Sequence, residues 1–124
     1  MRPAPDAAPT VAALAALEVR AGAAKLAPDS IVAALAALPG WSVDDDALRK
    51  AYRFADWRAT MAFVNAVAEM ADRVDHHPAL NVAWGRCTVA WWTHDANGIT
   101  QNDLACAART DALDRPGGAA EGTG

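Results

Sequence analysis

Three histidines lie within one quarter of this 124-residue chain, and their types and spacing are the ones best suited to chemistry. His76 and His77 are adjacent and directly precede Pro78, and His94 follows two apolar runs. Imidazole titrates near neutral pH, so one ring can donate a proton while another accepts one. The cluster therefore predicts a site of acid–base chemistry.

Carboxyl groups flank the histidines at both ends of this stretch. Asp72 lies one helical turn before His76, where a carboxylate can orient the imidazole ring and favour its protonated form. Asp103 lies three residues after Thr100, the spacing of a carboxylate that caps the first turn of a helix. We expect Asp72 to act beside His76, and for Asp103 we prefer the structural capping role.

Two other interpretations of the histidines stay open. The first is a metal site, but the chain has no H-x-H or H-x-x-x-H pair to present two imidazoles to one ion. The second is structural, because a histidine before proline can satisfy backbone groups of a loop. No serine or cysteine nucleophile adjoins the histidines, and no glycine-rich phosphate loop opens a helix. Proton transfer on a small, uncharged or weakly polar molecule is the favoured interpretation.

Composition excludes several classes of partner. The formal net charge of −4 argues against binding to nucleic acid or to an anionic membrane surface. No apolar run approaches the roughly 20 residues that span a bilayer, and no convincing signal peptide begins the chain. We therefore expect a cytoplasmic protein, in which Cys87 and Cys106 are reduced and partly buried.

Hydrophobic periodicity predicts a single α+β domain. We expect helices over about 26–38, 57–74 and 100–113, and strands over 41–43, 48–54, 80–84 and 87–93. Two hairpins and three one-sided helices make a four-stranded antiparallel sheet with three helices on one face. The other face would carry Thr88, Ala90 and Trp92, and this exposed patch predicts packing against a second copy in a homo-oligomer.

The chain divides into three parts by composition. Residues 1–25 form an Ala/Pro-rich extension, in which 10–20 can make one helix, and we expect this extension to be loose. Residues 26–114 form the folded domain, and residues 115–124 form a disordered tail rich in glycine and alanine.

The motif around the histidines resembles the pterin-4a-carbinolamine dehydratase family. The family has an acidic residue one turn before H-H-P, then an aromatic residue, a third histidine and an aspartate at fixed spacing. The segments that carry the resemblance are D-R-V-D-H-H-P, Trp84 and T-H-D-A-N-G-I-T-Q-N-D. The matching positions are Asp72, His76, His77, Pro78, Trp84, His94 and Asp103. The resemblance covers roughly residues 26–113 and includes, more weakly, Pro39-Gly40-Trp41.

The resemblance implies dehydration of a 4a-hydroxytetrahydropterin to quinonoid dihydropterin, without a metal or an organic cofactor. By analogy, His76 and His94 protonate the departing hydroxyl, and His77 holds the pterin and accepts the proton of N5. The residues expected to bind the substrate are Asp72, Pro78, Trp41, Trp84 and Asp103.

The resemblance also bears on partners. It implies a homodimer or homotetramer and a functional link to an aromatic amino acid hydroxylase that generates the substrate. Asp72 stands where relatives often have Glu, and Ala90 and Trp92 stand where relatives often have Thr or Ser. The alternative function is that of a non-catalytic assembly or dimerisation partner with the same fold.

Overall fold

The structure is a computed structural model that describes residues 9–114. No helix within that range combines the length and the apolar character needed to cross a bilayer. A short 3₁₀ helix, His94–Ala96, follows the last strand. The other elements, in chain order, are α1 (Val11–Ala15), α2 (Pro28–Leu35), β1 (Ser42–Asp44), β2 (Ala47–Arg53), α3 (Trp57–Val74), β3 (Ala79–Ala83), β4 (Arg86–Trp91) and α4 (Gln101–Asp114).

The four strands form one antiparallel sheet in the order β1-β2-β4-β3. Within it, β2 pairs with β4 from Leu48 opposite Trp91 to Arg53 opposite Arg86. The predicted α+β fold, a four-stranded antiparallel sheet with its helices on one face, is confirmed. Because β3 and β4 run in opposite directions, the start of β3 lies beside the end of β4.

One apolar core lies between the sheet and the helices. The buried side chains of α3 follow the spacing of one helical face, and they include Phe63 and Val67. They pack with buried residues of β4, of which Trp91 is the largest. Trp57, the first residue of α3, is 49% exposed, because the buried face is centred on Thr60, Phe63 and Val67 and Trp57 lies to one side of it.

The N-terminal segment packs against α4 over its described part. Leu14 is buried in the core, and Arg109 of α4 donates hydrogen bonds of 2.9 Å to the carbonyl oxygens of Ala15 and Leu17. The expectation of a loose extension is therefore wrong for residues 9–25. The tail predicted to be disordered, 115–124, lies outside the described residues.

The patch predicted on the outer face of the sheet, Thr88, Ala90 and Trp92, is only partly exposed. Ala90 is buried, Thr88 is half-buried, and β4 ends at Trp91, so Trp92 lies beyond the strand. Trp92 is 37% exposed. Trp92, which was predicted to belong to this patch, lies instead beyond the end of β4, beside the histidines.

Both cysteines are fully buried, where the sequence predicted partial burial, and they are not bonded to each other. Burial raises the pKa of the Cys87 thiol to about 11. Burial also raises the pKa of the Cys106 thiol to about 12, although the positive charge of Arg109 partly opposes this and the carboxylate of Asp103 adds slightly to it. Neither thiol therefore has the lowered pKa of a reactive cysteine.

Candidate active site

The two adjacent histidines lie at the joint between α3 and β3. Asp75 ends α3 in the left-handed conformation, with φ 54°, and its N–H bonds the carbonyl of Ala71. Pro78 then disfavours helix in the residue before it, so the chain continues as a strand. This reversal holds His76 and His77 in an irregular segment where their side chains leave the backbone in different directions.

His94 reaches the same place from the other strand of the hairpin. Ala79, the first residue of β3, pairs with Ala90 near the end of β4. Beyond β4, Thr93 forms an isolated antiparallel bridge with Gly98, and His94 opens the 3₁₀ helix between them. The register of one hairpin therefore brings together histidines that are 17 or 18 residues apart in sequence.

His76 is held by a buried carboxylate. Its Nε2 lies 2.6 Å from Oδ1 of Asp103, whose side chain is fully buried. The second oxygen, Oδ2, accepts hydrogen bonds from Thr93 Oγ1 at 2.8 Å and from the Thr100 backbone N–H at 2.9 Å. Asp103 therefore caps α4, as preferred from the sequence, and also binds His76. This contact uses Nε2, so Nδ1 is the ring nitrogen of His76 that lies outside the hydrogen bond with Asp103.

The ring of His76 also packs on an aromatic side chain. Its centroid lies 5.5 Å from that of Trp91, with the two ring planes 21° apart. Trp91 is itself fixed, because it is buried and its Nε1 donates to Thr110 Oγ1 at 3.1 Å. With its edge bonded and its face packed, the His76 side chain is only 14% exposed.

His77 has a carboxylate partner of a different kind. Its Nε2 lies 2.9 Å from Oδ1 of Asp72, and the two side chains are 57% and 81% exposed. We expected Asp72 to act beside His76, and the structure pairs it with His77 instead. The turn at Asp75 directs His76 towards α4 and leaves His77 on the side of α3 that carries Asp72.

All three histidines line one cavity of about 490 Å³. This volume falls in the range of about 300–1,000 Å³ that is usual for small-molecule sites. Trp92 forms part of its wall, and the remaining lining residues are Asp75, Thr93 and Asp95. The cavity therefore has the volume of a small-molecule site and is bordered by all three imidazoles. Within residues 9–114, no three His, Cys, Asp or Glu side chains are grouped as ligands of one metal ion would be.

Comparison with known proteins gives the family. The family described as "Pterin 4 alpha carbinolamine dehydratase" matches residues 24–113. Two relatives, from Chromobacterium violaceum and Paracidovorax citrulli, are each named "Putative pterin-4-alpha-carbinolamine dehydratase". They are 48% identical over 94 residues and 51% identical over 92 residues. The first match covers 76% of this chain and 87% of the relative, and the second covers 71% and 79%. The chain belongs to the pterin 4 alpha carbinolamine dehydratase family.

A solved structure shares the fold as well. A crystal structure of a transcriptional coactivator/pterin dehydratase from Brucella melitensis matches with a TM-score of 0.71 and 31% sequence identity. The match covers 73% of this chain and 99% of that protein. The family resemblance read from the sequence is thus confirmed by both sequence and structure.

Not every residue that the pterin dehydratase resemblance singled out lies at this cavity. Trp41 is buried and donates from Nε1 to Asp111 Oδ1 at 3.1 Å, and Trp84 lies in the turn between β3 and β4 with 68% exposed. Neither of them, nor Pro78, lines the cavity that the three histidines share. Pro78 acts on the site through the backbone, by ending the helical path.

Four lining residues were not among the predicted site residues: Asp75, Thr93, Asp95 and Trp92. The largest of them is Trp92. It was assigned to the outer face of the sheet, because the strand was expected to continue to residue 93. The signal that could have found it is its position two residues before His94, on the segment that must carry that histidine into the site.

Proposed function

We propose that this protein dehydrates 4a-hydroxytetrahydropterin to quinonoid dihydropterin. The observation that carries the proposal is that His76, His77 and His94 line one cavity of about 490 Å³. In the reaction, the bond from C4a to its hydroxyl oxygen breaks and the hydroxyl leaves as water with a proton from an acid. The proton on N5 passes to a base, and a double bond forms between C4a and N5. The elimination is balanced by one acid and one base, with no change of oxidation state.

His76 and His94 are the proposed acids for the departing hydroxyl. They lie on different elements that border the same cavity, His76 after α3 and His94 after β4. Two acids that approach from different sides can serve a hydroxyl on either face of the ring. General acid catalysis of this kind contributes about 10²–10⁴-fold to the rate.

His77 is the proposed group that holds the ring and accepts the N5 proton. Its Nε2 is engaged with Asp72, which leaves Nδ1 for the substrate, and the carboxylate stabilises the imidazolium formed when the proton arrives. Asp103 and Asp72 thus act on the substrate through the imidazoles that they orient. No step in this scheme needs a metal ion or an organic cofactor.

We also propose the setting in which the enzyme works. An aromatic amino acid hydroxylase, which leaves a hydroxylated tetrahydropterin after turnover, would supply the substrate in the cytoplasm, as part of tetrahydropterin recycling. A homodimer or homotetramer is the proposed assembly, and the exposed indoles of Trp84 and Trp57 are the apolar surfaces that support it.

A second candidate function is binding to another protein. The supporting observation is that the Brucella melitensis relative is named a transcriptional coactivator as well as a pterin dehydratase. The two roles need different parts of the molecule, because the dehydratase uses the histidine cavity and an assembly role uses the outer surface. A variant that loses turnover and keeps its oligomeric state would separate them.

The decisive experiment is a dehydratase assay. Purified protein is added to freshly generated 4a-hydroxytetrahydropterin, and formation of quinonoid dihydropterin is followed by absorbance. We expect the decay of the carbinolamine to speed up in proportion to protein concentration, with the same rate after dialysis against EDTA. A rate no greater than that of the uncatalysed reaction would refute the proposal, and loss with EDTA that zinc restores would establish a metal-dependent reaction instead.

The role of His77 can be tested in the same assay. Because its side chain is more than half exposed, His77→Ala should keep the native circular dichroism and thermal transition. We expect it to lower kcat by about 10²–10⁴-fold, the range for loss of a general base. Full activity in a folded His77→Ala protein would remove this histidine from the mechanism.

A further inference from the structure

A second cavity adjoins the histidine cavity at His76. Its volume is about 430 Å³, and it shares four lining residues with the first cavity: Asp75, His76, Thr93 and Asp95. The opposite wall is the N-terminal segment Val19–Ala23. We call this second cavity the N-terminal lobe. It is built from a part of the chain that precedes the family match at residue 24.

The wall of the N-terminal lobe is fixed by side chains of α4. Asn102 is buried, and its side-chain amide forms hydrogen bonds with both backbone polar groups of Arg20. Nδ2 donates to the Arg20 carbonyl at 2.7 Å, and Oδ1 accepts from the Arg20 backbone N–H at 3.0 Å. Gln101 Nε2 adds a bond of 2.6 Å to the Glu18 carbonyl. Since Asp103 follows Asn102, one turn of α4 fixes both the wall and the ring of His76. The lobe is therefore preformed next to the proposed acid.

The structure of the proposed substrate indicates which of its substituents lies next to His76. In a 4a-hydroxytetrahydropterin, C4a and C6 are the two carbons bonded to N5, so the hydroxyl on C4a and a substituent on C6 project from neighbouring positions. A substrate whose hydroxyl contacts His76 therefore has its C6 substituent close to His76. The N-terminal lobe begins at this residue.

The geometry points to the N-terminal lobe as the subsite for the C6 substituent of the pterin, with Val19–Ala23 as a specificity-determining wall. This inference rests on the proposed dehydratase function. A third cavity, of about 420 Å³, lies beyond His94 and shares only Trp92 and His94 with the histidine cavity. Each of these two cavities borders one of the proposed acids, but the N-terminal lobe shares four lining residues with the histidine cavity against two for the third cavity, so it is the better placed.

The lining of the lobe indicates a neutral, hydroxyl-bearing substituent. Asp75 and Asp95 border the lobe and can accept hydrogen bonds from hydroxyl groups, whereas they repel an anionic chain. The guanidinium of Arg20 does not offset them strongly, because it is 58% exposed and lies 4.0 Å from Glu18. A short polyol chain fits this lining, and a glutamate-bearing chain does not.

The test fills the lobe and compares two substrates. Ala21 lines the lobe and is exposed, so Ala21→Phe places a large side chain there without disturbing the core. Ala24→Phe is the matched control, since Ala24 is exposed and does not line the lobe. The substrates are the 4a-carbinolamines of tetrahydrobiopterin, which has a dihydroxypropyl group on C6, and of 6-methyltetrahydropterin.

We expect Ala21→Phe to raise KM for the dihydroxypropyl substrate about tenfold, the effect of losing one or two hydrogen bonds, and to leave KM for the 6-methyl substrate within about twofold. Ala21→Leu should give a smaller rise with the same selectivity, and Ala24→Phe should change neither value. Equal KM changes for both substrates, or no change for either, would overturn the inference. Wild-type protein inactive on both substrates would instead refute the proposed function, so the two failures are distinguishable.

Discussion

The two histidine–carboxylate pairs beside the histidine cavity have similar hydrogen-bond distances but differ in solvent exposure. His76 lies 2.6 Å from Asp103, and the two side chains are 14% and 0% exposed. His77 lies 2.9 Å from Asp72, and the two side chains are 57% and 81% exposed. A charge-assisted hydrogen bond away from water is much stronger than one between solvated groups. The buried pair therefore fixes its imidazole ring, whereas the exposed pair holds its ring weakly.

This difference in solvent exposure matches the role that the proposed reaction gives to each imidazole. An acid that must meet a hydroxyl at one position on the substrate gains from a ring locked in place, and His76 is locked by Asp103 and by the face of Trp91. A base that takes the N5 proton must release it to water before the next turnover. The exposure of His77 provides that route. Burial, rather than bond length, therefore distinguishes the proposed acid His76 from the proposed base His77.

Of the two carboxylates, the buried one should give the larger effect when it is changed. An amide has one acceptor oxygen, so Asp103→Asn must turn an NH₂ group either towards His76 or towards the two donors Thr93 and Thr100. We expect a loss of about 3 kcal/mol in the free energy of unfolding, typical of breaking a buried pair. We expect kcat to fall about 100-fold because the acid loses its orientation. Urea denaturation and the dehydratase assay measure the two effects.

The control for this variant is a second carboxylate on the same helix. Asp111 Oδ1 accepts from Trp41, Lys50 and Tyr52, and its side chain is only 19% exposed. Burial and the neighbouring Asp111 raise the pKa of Tyr52, so this is also a tightly bonded site. Asp111→Asn should therefore destabilise the protein and leave kcat within about twofold. If both variants lower kcat equally, the effect of Asp103 on turnover is only a loss of stability.

The fold could be predicted because its signals are local. The spacing of Phe63 and Val67 gives a helical face, the alternation in β2 and β4 gives strands, and Pro78 stops helix after α3. Each of these patterns is complete within a few residues. The structure accordingly begins and ends α3 at the residues that the sequence predicted, 57 and 74.

The pairing inside the site could not be predicted, because it depends on directions that no local pattern contains. The left-handed turn at Asp75 decides that Asp72 meets His77 rather than His76. Asp103 has the spacing of a helix cap, and nothing in that spacing shows that its other oxygen faces His76. Both facts come from how α3 and α4 pack on the sheet.

The packing of the N-terminal segment could not be predicted from local sequence either. Its alanine-rich composition is typical of a loose terminus, yet Asn102 and Arg109 hold it by bonds to its backbone. Backbone groups are present in every sequence, so composition cannot reveal that they are bound. Only the side chains of α4 and their positions explain why residues 9–25 are ordered against the domain.

A smaller effect should appear in the reactivity of Cys106, which lies one turn after Asp103 on α4. Its pKa of about 12, raised mainly by burial, keeps the thiolate scarce at pH 8, so alkylation needs local opening of the helix. We expect Asp103→Asn to speed iodoacetamide labelling of Cys106 about tenfold. Labelling of Cys87, on β4, should rise less, and peptide mass spectrometry resolves the two sites. Equal acceleration at both thiols would indicate global unfolding rather than loosening around the buried pair.

The smallest effect should follow from changing the exposed carboxylate. Asp72→Asn should lower kcat about threefold and the free energy of unfolding by no more than about 0.5 kcal/mol, because solvated ion pairs contribute little. Salt sharpens the test, since 1 M NaCl reduces the screening length to about 3 Å. In 1 M NaCl, the kcat of the wild type should approach that of Asp72→Asn, whereas the deficit of Asp103→Asn should persist, because water and ions do not reach that carboxylate. An Asp72→Asn deficit that matches that of Asp103→Asn and resists salt would show that solvent exposure does not rank the two pairs.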